Sequence, residues 1–355
     1  MRVDQFIPAF HHGDAIGDSG LHLKEFLCSQ GFSSEIYCLD RDKGLEKKSV
    51  LYADYPQPGP EDVNILHFAL PSPLSKAFIE IPGRKILIHH NITPPEFFSG
   101  FSEEMVRISE AGRREFESLV PHVDLALADS EYNRQELSQC GFSNTAVFPL
   151  FVDLSKYERP HNRFVHDLFR DDRTNILFVG RIVPNKKIEN LIKVLFYYKK
   201  FISPLVRLIV IGKTESLPSY YQSLVRLADE FYLKPEEICF TGHIPDEEMY
   251  ALYRASDVFL SMSEHEGFGL PFIESMVFDL PVMAFNCTAV PYTLDGAGIL
   301  FNTRQVDRVS ELVDIVVRDQ NLRKKVINGQ RERLKRFDPE NRERLFLRFI
   351  EDLTG

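Results

Sequence analysis

The sequence predicts an α/β protein with two doubly wound parallel sheets, each in its own Rossmann-like domain. Short apolar runs of strand length alternate with amphipathic helical segments, as in sheets that are covered by helices on both faces. This alternation stops in a polar stretch at residues 153–174 and then starts again. The chain of 355 residues is also too long for one ordinary core, so two domains are expected.

Bulk composition indicates a globular protein and argues against several classes of function. The net charge of −10 disfavours nucleic acid as a partner. The N-terminus has an acid, Asp4, where a signal peptide would need an apolar core. No stretch approaches the roughly 20 apolar residues needed to span a bilayer. We therefore expect a cytoplasmic protein.

The first half contains six candidate strands. A glycine-rich loop at residues 11–20 follows the first of them and leads into a helix predicted over residues 21–30. Its spacing is not G-x-G-x-x-G, so a ligand-facing loop and a surface turn fit equally well. The predicted strands are Val3–Ala9, Glu35–Leu39, Val63–Ala69, Lys85–His90, Leu125–Ala128 and Ala146–Phe151.

Polar residues stand at the ends of two of these strands. Residues at the carboxyl ends of parallel strands face the ligand crevice, and His90, Asn91, Asp129 and Ser130 hold such positions. A histidine there can donate or accept a proton near neutral pH. His90 fits a structural, hydrogen-bonded histidine as well as a functional one. Of His89 and His90, we choose His90 because it is nearer the strand end.

The second half repeats the pattern with six more strands. We predict an N-terminal domain over residues 1–165 and a second domain over 166–337. A last helix, about 338–355, is expected to pack back on the first domain. The predicted strands are Asn175–Val179, Leu208–Ile211, Ile238–Phe240, Val258–Leu260, Val282–Phe285 and Ile299–Phe301.

The turn at residues 261–274 carries the strongest signal of a ligand site. It joins an apolar strand to a helix whose N-terminus would favour a phosphate. Gly267 and Gly269 allow the backbone to approach a ligand closely. Glu266 and Glu274 are carboxylates that can accept hydrogen bonds from sugar hydroxyls. A helix start with acids that offset its dipole is the simpler alternative, but the combination of features favours a ligand site.

A basic segment forms the second candidate element. The first strand of the second half ends at Gly180-Arg181, and Lys186 and Lys187 follow. Arginine can bind a phosphate bidentately and lysine binds it as a point charge, although a solvated loop would have the same composition. The lysines and apolar residues at 186–200 would also fit peripheral contact with the inner face of a membrane. We prefer to interpret that stripe as a core face with polar flanks.

Together these motifs resemble the retaining nucleotide-sugar glycosyltransferases of family 4, the glycosyl transferases group 1. Three elements carry the resemblance: Glu266 and Glu274 in an E-x7-E pattern, Gly180-Arg181 with Lys186, and Thr241-Gly242-His243. It is specific over residues 175–305 and weaker over 1–155. It implies the GT-B architecture, in which two Rossmann-like domains face each other across the ligand cleft. In that architecture residues 1–165 would form the acceptor domain and residues 166–337 the nucleotide-sugar donor domain.

The resemblance also implies roles for individual residues. Arg181 and Lys186 would neutralise the donor diphosphate, Glu266 would hold hydroxyls of the transferred sugar, and Glu274 would bind the ribose. Backbone groups at Phe268, Gly269 and Leu270 would contact phosphate and sugar, and Gly242 and His243 would lie near the nucleobase. His90 would approach the reacting sugar, and Gly13 would meet the donor phosphate or the acceptor. Lys187 departs from the family, which often has glycine there.

The implied reaction moves a hexose from a nucleoside-diphosphate sugar to a saccharide or lipid-linked saccharide acceptor, in cell-surface polysaccharide or lipopolysaccharide synthesis. The nucleotide sugar is a co-substrate; no cofactor and no metal are expected, and fixed cations would stabilise the leaving diphosphate. The alternatives are a GT-B relative of other chemistry, such as a phosphorylase or epimerase, and an inactive nucleotide-sugar-binding partner subunit. A Rossmann dehydrogenase is disfavoured because the sequence lacks G-x-G-x-x-G.

Overall fold

The chain forms two units, and both are discontinuous in sequence. The computed structural model describes all residues from Met1 to Gly355. The first unit contains Met1–Pro95, Glu104–Asp153 and Phe337–Gly355, and the second contains Glu96–Glu103 and Leu154–Arg336. The boundary therefore falls after Asp153, earlier than residue 165, and a short segment of the first half belongs to the second unit.

The first unit is built on a parallel sheet of seven strands. Their order is β5-β3-β1-β6-β7-β8-β9, so the chain builds outward in one direction from β1 and in the other from β6. β2 and β4 form a separate two-stranded pair. The strands are β1 Val3–Phe6, β2 Ala9–Phe10, β3 Ile36–Cys38, β4 Asp40–Arg41, β5 Val50–Leu51, β6 Val63–Phe68, β7 Arg84–His89, β8 Leu125–Ala128 and β9 Thr145–Val147.

Helices cover both faces of the first sheet, and the last helix of the chain is among them. Phe346 and Ile350 of that helix pack in one core cluster with Val3, Leu23 and Ile65. The buried guanidinium of Arg342 donates to the carbonyls of Leu150 and Phe337. The helices of this unit are α1 Ala15–Ser29, α2 Pro73–Glu80, α3 Glu103–Leu119, α4 Glu131–Cys140 and, at the C-terminus, α13 Pro339–Thr354.

The start of α1 differs from the prediction. The helix begins at Ala15, so Gly17 and Gly20 are helical and only the first part of the predicted loop is a loop. Asp14 caps the helix by accepting a hydrogen bond from the Gly17 N–H at 3.2 Å. A β-carbon on Gly20 would lie 2.5 Å from the terminal methyl of Ile7, so that side chain would have to shift.

The second unit is built on a parallel sheet of six strands. The order β12-β11-β10-β13-β14-β15 again reverses direction, here between β10 and β13. The bounds are β10 Thr174–Val179, β11 Val206–Ile211, β12 Ile238–Gly242, β13 Val258–Ser261, β14 Val282–Phe285 and β15 Ile299–Phe301.

Eight helices belong to this unit. The stripe after Lys186 is a core face, because Ile188, Leu191 and Ile192 are buried. No helix of the chain is both long and apolar enough to cross a bilayer. The helices are α5 Arg163–Phe169, α6 Ile188–Phe201, α7 Pro218–Glu230, α8 Asp246–Ala255, α9 Leu270–Val277, α10 Val290–Leu294, α11 Val306–Arg318 and α12 Gln320–Leu334.

Candidate active site

The point where the second sheet reverses its strand order brings the two predicted motifs together. Open α/β sheets bind ligands beyond the carboxyl ends of the strands at this point. Gly180-Arg181 follows β10, and the turn that contains Glu266 follows β13, its neighbour in the sheet. Arg181 is exposed and makes no ion pair or side-chain hydrogen bond. Its guanidinium is therefore available to a ligand.

Glu266 is fixed by a cation on one side. The Lys186 ammonium lies 2.6 Å from Glu266 Oε2, and the two side chains are 15% and 9% exposed. Glu266 Oε1 makes no hydrogen bond within the protein. One carboxylate oxygen is thus paired with a cation, and the other can still accept a hydrogen bond from a hydroxyl group.

Two residues that sequence reasoning missed hold this turn. The amide of Asn185 donates to the His265 carbonyl at 2.9 Å, and its backbone carbonyl accepts the Glu264 N–H at 2.8 Å. Thr288 Oγ1 accepts the Glu266 N–H and donates to the Glu266 carbonyl, each at 2.8 Å. Thr288 follows the end of β14, so the strand-end rule could have identified it; nothing in the sequence marks Asn185.

A cysteine lies beside this turn but is poorly suited to act as a nucleophile. The Cys287 thiol donates to the Ser263 carbonyl at 3.0 Å. Burial, and secondly the charge of Glu266, raises the pKa of this thiol to about 12. It therefore stays protonated at neutral pH.

The helix that follows the turn begins with its N-terminus uncapped by any side chain. Gly269 adopts φ +88° as the residue before α9, and Pro271 lies in the first turn. Phe268 is buried and its carbonyl accepts from Thr293 Oγ1 at 2.5 Å. The backbone N–H of Leu270 is one of the first groups of the helix, which have no intrahelical acceptor. Such groups favour an anion.

Glu274 is held more tightly than its predicted role suggests. It is 6% exposed, and its Oε1 and Oε2 accept from the hydroxyls of Tyr157 at 2.8 Å and Tyr253 at 2.7 Å. Burial, and secondly Glu274, raises the pKa of Tyr253 well above its ordinary value, so this phenol remains a donor. Glu274 thus ties α9 to α8 and to the 3-10 turn Leu154–Glu158. Sequence reasoning did not identify either tyrosine.

Glycines at the carboxyl ends of β10, β11 and β12 let the backbone approach closely at the same edge of the sheet. A β-carbon on Gly212 would lie 1.9 Å from the Gly180 carbonyl oxygen. The Gly212 N–H donates to the Gly242 carbonyl at 3.1 Å, and Gly242 has φ +70°. His243 is exposed beside it. Lys187, at the position where the family often has glycine, adopts the left-handed φ of +51°.

In the first unit, His90 takes part in a buried chain of hydrogen bonds. Gln5 Nε2 donates to the Gly20 carbonyl, so Gln5 Oε1 accepts from His67 Nε2 at 2.9 Å. Burial, and secondly His90, lowers the pKa of His67 well below its usual value, so His67 is neutral and its Nδ1 accepts from His90 Nε2 at 3.0 Å. His90 Nδ1 faces both oxygens of Asp129, at 2.9 and 3.1 Å. Both ring nitrogens of His90 are therefore engaged, and its side chain is 3% exposed.

His89 and Gly13, the other two predicted residues of the first unit, differ in burial. His89 is fully buried, stacks on Phe116 and has its Nε2 3.0 Å from Glu136. Gly13 is exposed, with φ +72°, just before α1. Of the two histidines, His90 is the one that pairs with the strand-end Asp129.

Comparison with known proteins finds a family that the second unit resembles. Residues 159–333 match the glycosyl transferases group 1. That part of the chain is therefore similar to glycosyltransferases. The serotype-specific mannosyltransferase WbdA of Escherichia coli is 28% identical over 145 residues, which are 41% of this chain and 18% of WbdA. The capsular polysaccharide biosynthesis glycosyltransferase CapM of Staphylococcus aureus is 28% identical over 200 residues, 55% of this chain and 49% of CapM.

The matched part of the chain thus spans less than half of the length of each of these relatives. Among solved structures, HepE of Anabaena in complex with UDP-glucose superposes with a TM-score of 0.77 at 15% identity, covering 99% of this chain and 100% of HepE. The fold of the chain is GT-B, as predicted.

Proposed function

We propose that this protein is a retaining glycosyltransferase. It transfers a hexose from a nucleoside-diphosphate sugar, of the GDP-mannose or UDP-glucose type, to a saccharide or lipid-linked saccharide acceptor in cell-surface polysaccharide or lipopolysaccharide synthesis. The observation that carries the proposal is the pairing of Lys186 with Glu266, beside the unpaired Arg181, at the reversal point of the second sheet. The mannosyltransferase and UDP-glucose named for the related proteins support the donor types.

The chemistry needs positive charge where the leaving group forms. Cleavage of the bond between sugar and diphosphate develops negative charge on the leaving phosphate. Arg181, Lys186 and the N-terminus of α9 at Phe268, Gly269 and Leu270 supply fixed positive charge and N–H donors there. We propose that the reaction is independent of a metal ion for this reason, with no cofactor besides the nucleotide sugar.

Two carboxylates have separate roles in this proposal. Glu266 accepts hydrogen bonds from hydroxyls of the transferred sugar through Oε1, which has no partner in the protein. Glu274 accepts the ribose hydroxyls through lone pairs that Tyr157 and Tyr253 do not use, since each carboxylate oxygen can accept two hydrogen bonds. Gly242 and His243 lie beside the nucleobase.

The first unit contributes His90 and Gly13. Gly13 contacts the donor phosphate or the acceptor through its backbone. The imidazole of His90 approaches the reacting sugar, for which it would exchange one of its present partners, His67 or Asp129. We assign no covalent nucleophile, and we propose attack on the same face from which the diphosphate departs.

Thermal shift measurements with UDP, GDP, ADP and their sugars, with and without EDTA, test the donor site. A ligand at 100 times its Kd stabilises the folded protein by about 2.7 kcal/mol. We expect one nucleotide to raise the melting temperature, with no effect of EDTA. Arg181→Gln should weaken its binding about tenfold, because one charge-assisted contact is lost. Arg226→Gln, an exposed arginine on α7, is the matched control.

Product analysis tests the reaction itself. Transfer to a saccharide acceptor should retain the anomeric configuration, as read by proton NMR. Glu266→Gln should abolish the transfer. Nucleotide binding without any hydrolysis or transfer would contradict the transferase and support an inactive binding subunit instead. An inverted product, or activity lost in EDTA and restored by a divalent cation, would contradict the mechanism.

A further inference from the structure

The edge of the second sheet beyond β15 carries an open, polar depression. It has a volume of about 820 Å³. Its lining contains two arginines and no carboxylate, although the chain as a whole carries a net charge of −10. The lining residues are Phe285, Asn302, Thr303, Arg304, Gln305 and Arg308. We call this feature the arginine depression.

The two arginines differ in how they are held. Arg304 Nε lies 2.9 Å from Glu264 Oε1, and the guanidinium sits 5.0 Å from the centre of the Phe285 ring. These contacts fix its orientation, while 62% of the side chain remains exposed. Arg308 is exposed and has no ion pair or side-chain hydrogen bond. One cation is thus pre-oriented and the second is uncommitted.

Backbone donors add to these cations. Gln305, the residue before α11, provides no side-chain cap, so the first N–H groups of this 13-residue helix lack an acceptor. Asn302, Thr303 and Gln305 add neutral polar groups to the lining. Asp307 is acidic and lies in the first turn, but it is not part of the lining and pairs with neither arginine. The local chemistry therefore favours an anion.

The strand before this depression lies away from the strands that carry the groups proposed to hold the donor diphosphate, although Arg304 reaches back toward them through Glu264. β10 and β15 are three strand spacings apart in the sheet, which is about 14 Å at roughly 4.8 Å per spacing. Gly242 ends β12 and His243 follows it, on the opposite edge of the sheet. A nucleotide bound along the strand ends from β12 to β10 would not occupy the β15 side of the sheet. A group of the acceptor could bind there.

A contact chain joins the depression to the sugar-binding turn. Glu264, the partner of Arg304, also lies 3.6 Å from the Lys187 ammonium. It stands two residues before Glu266, and two residues span at most about 7 Å. An anion at Arg304 would therefore lie near the turn that carries Glu266.

We propose that Arg304 and Arg308 bind an anionic group, a phosphate or a carboxylate, on the acceptor. This rests on the proposed function, because only a transferase has an acceptor at this position. The arginine fork suits both planar carboxylates and phosphate oxygens. The acceptor class is then an acidic or phosphorylated saccharide, including a lipid-linked one whose phosphate is close to the accepting sugar.

Titration of the full-length protein with small sugars tests the site directly. The probes are glucose 6-phosphate, glucuronate and neutral glucose, followed by the arginine side-chain N–H signals in proton–nitrogen NMR spectra. We expect the two charged sugars to shift the signals of Arg304 and Arg308, and glucose to bind at least tenfold more weakly. The charged sugar with the lower Kd shows whether the anionic group of the acceptor is a phosphate or a carboxylate. Equal responses to all three sugars would overturn the proposal.

Variants separate a specific site from general surface charge. Arg308→Gln should weaken binding of the charged sugars about tenfold, because it removes one charge-assisted contact. Arg318→Gln removes an equal charge at the other end of α11, where its partner is Asp314, and should leave the affinity unchanged. The same loss in both variants would contradict the assignment.

The proposed function and this inference fail in different ways. Arg308→Gln should leave the thermal shift with the donor nucleotide unchanged, since the diphosphate groups are elsewhere. If no nucleotide binds the wild-type protein, the transferase and an acceptor at this site are both refuted. If the nucleotide binds and transfer occurs, but charged sugars show no preference, only the anionic acceptor is refuted.

Discussion

Removal of one hydroxyl from Tyr253 should loosen the helix that carries Glu274. The buried carboxylate of Glu274 accepts only two hydrogen bonds within the protein, at 2.7 Å from Tyr253 and 2.8 Å from Tyr157. A hydrogen bond to a charged group contributes about 1.5–3 kcal/mol. Because Tyr253 is buried, no water can replace its hydroxyl without rearrangement. Tyr253→Phe should therefore cost an amount in that range.

The double variant should show that the two tyrosines act on the same charge. With both hydroxyls absent, the carboxylate keeps no donor within the protein, and a buried charge without such donors costs more than two separate hydrogen bonds. The cost of Tyr157→Phe with Tyr253→Phe should thus exceed the sum of the single costs.

Hydrogen exchange of the α9 amides is the assay, because it reports local opening in a chain of two units. A cost of about 1.5–3 kcal/mol corresponds to exchange that is roughly 10- to 150-fold faster. Tyr250→Phe is the control: its ring packs 5.5 Å from Tyr157, but its buried hydroxyl makes no hydrogen bond to Glu274. If Tyr253→Phe accelerates exchange no more than Tyr250→Phe does, Glu274 is not what holds α9.

Three further outcomes can be measured by urea denaturation. Lys187→Gly should be about 1 kcal/mol more stable than Lys187→Ala, since only glycine adopts the left-handed φ of +51° without strain; equal midpoints would contradict this. Gly212→Ala should be severely destabilised by the approach of its β-carbon to Gly180, whereas Gly242→Ala, with nothing within 4 Å, should cost about 1 kcal/mol. The free energy of unfolding should fall as the pH drops below about 6.5, by at most about 1.4 kcal/mol per pH unit for His67. The lowered pKa keeps His67 neutral in the folded protein, while the same histidine takes up a proton in the unfolded chain. His67→Gln should flatten this pH dependence.

The strands could be predicted because each is a short apolar run with a clear end. The predicted bounds of β8, β14 and β15 agree with the structure to the residue. The predicted start of α1 is later than Ala15, because the glycines at positions 17 and 20 favour a loop over a helix. Asp14 is an ordinary helix-capping residue and could have corrected that interpretation.

The site was only partly predictable because its contacts join distant parts of the chain. Local pattern identified Lys186 and Glu266 separately, but their pairing depends on β10 lying beside β13, which periodicity does not reveal. Tyr157 lies 117 residues before Glu274, in a stretch without strand pattern, so no local signal marked it. Sheet order and long-range hydrogen bonds are properties of the packed chain rather than of any segment.

The path of the chain has a consequence for its synthesis. The first unit begins at Met1 but takes its last helix from Phe337–Gly355. Phe346 and Ile350 fill a core cluster whose other members emerge from the ribosome much earlier. The second unit is complete once Arg336 has been made. Domains generally fold as units during translation, so here the unit that is started first is finished last. A ribosome that stops before residue 337 would release a finished second unit beside a first unit with an open core.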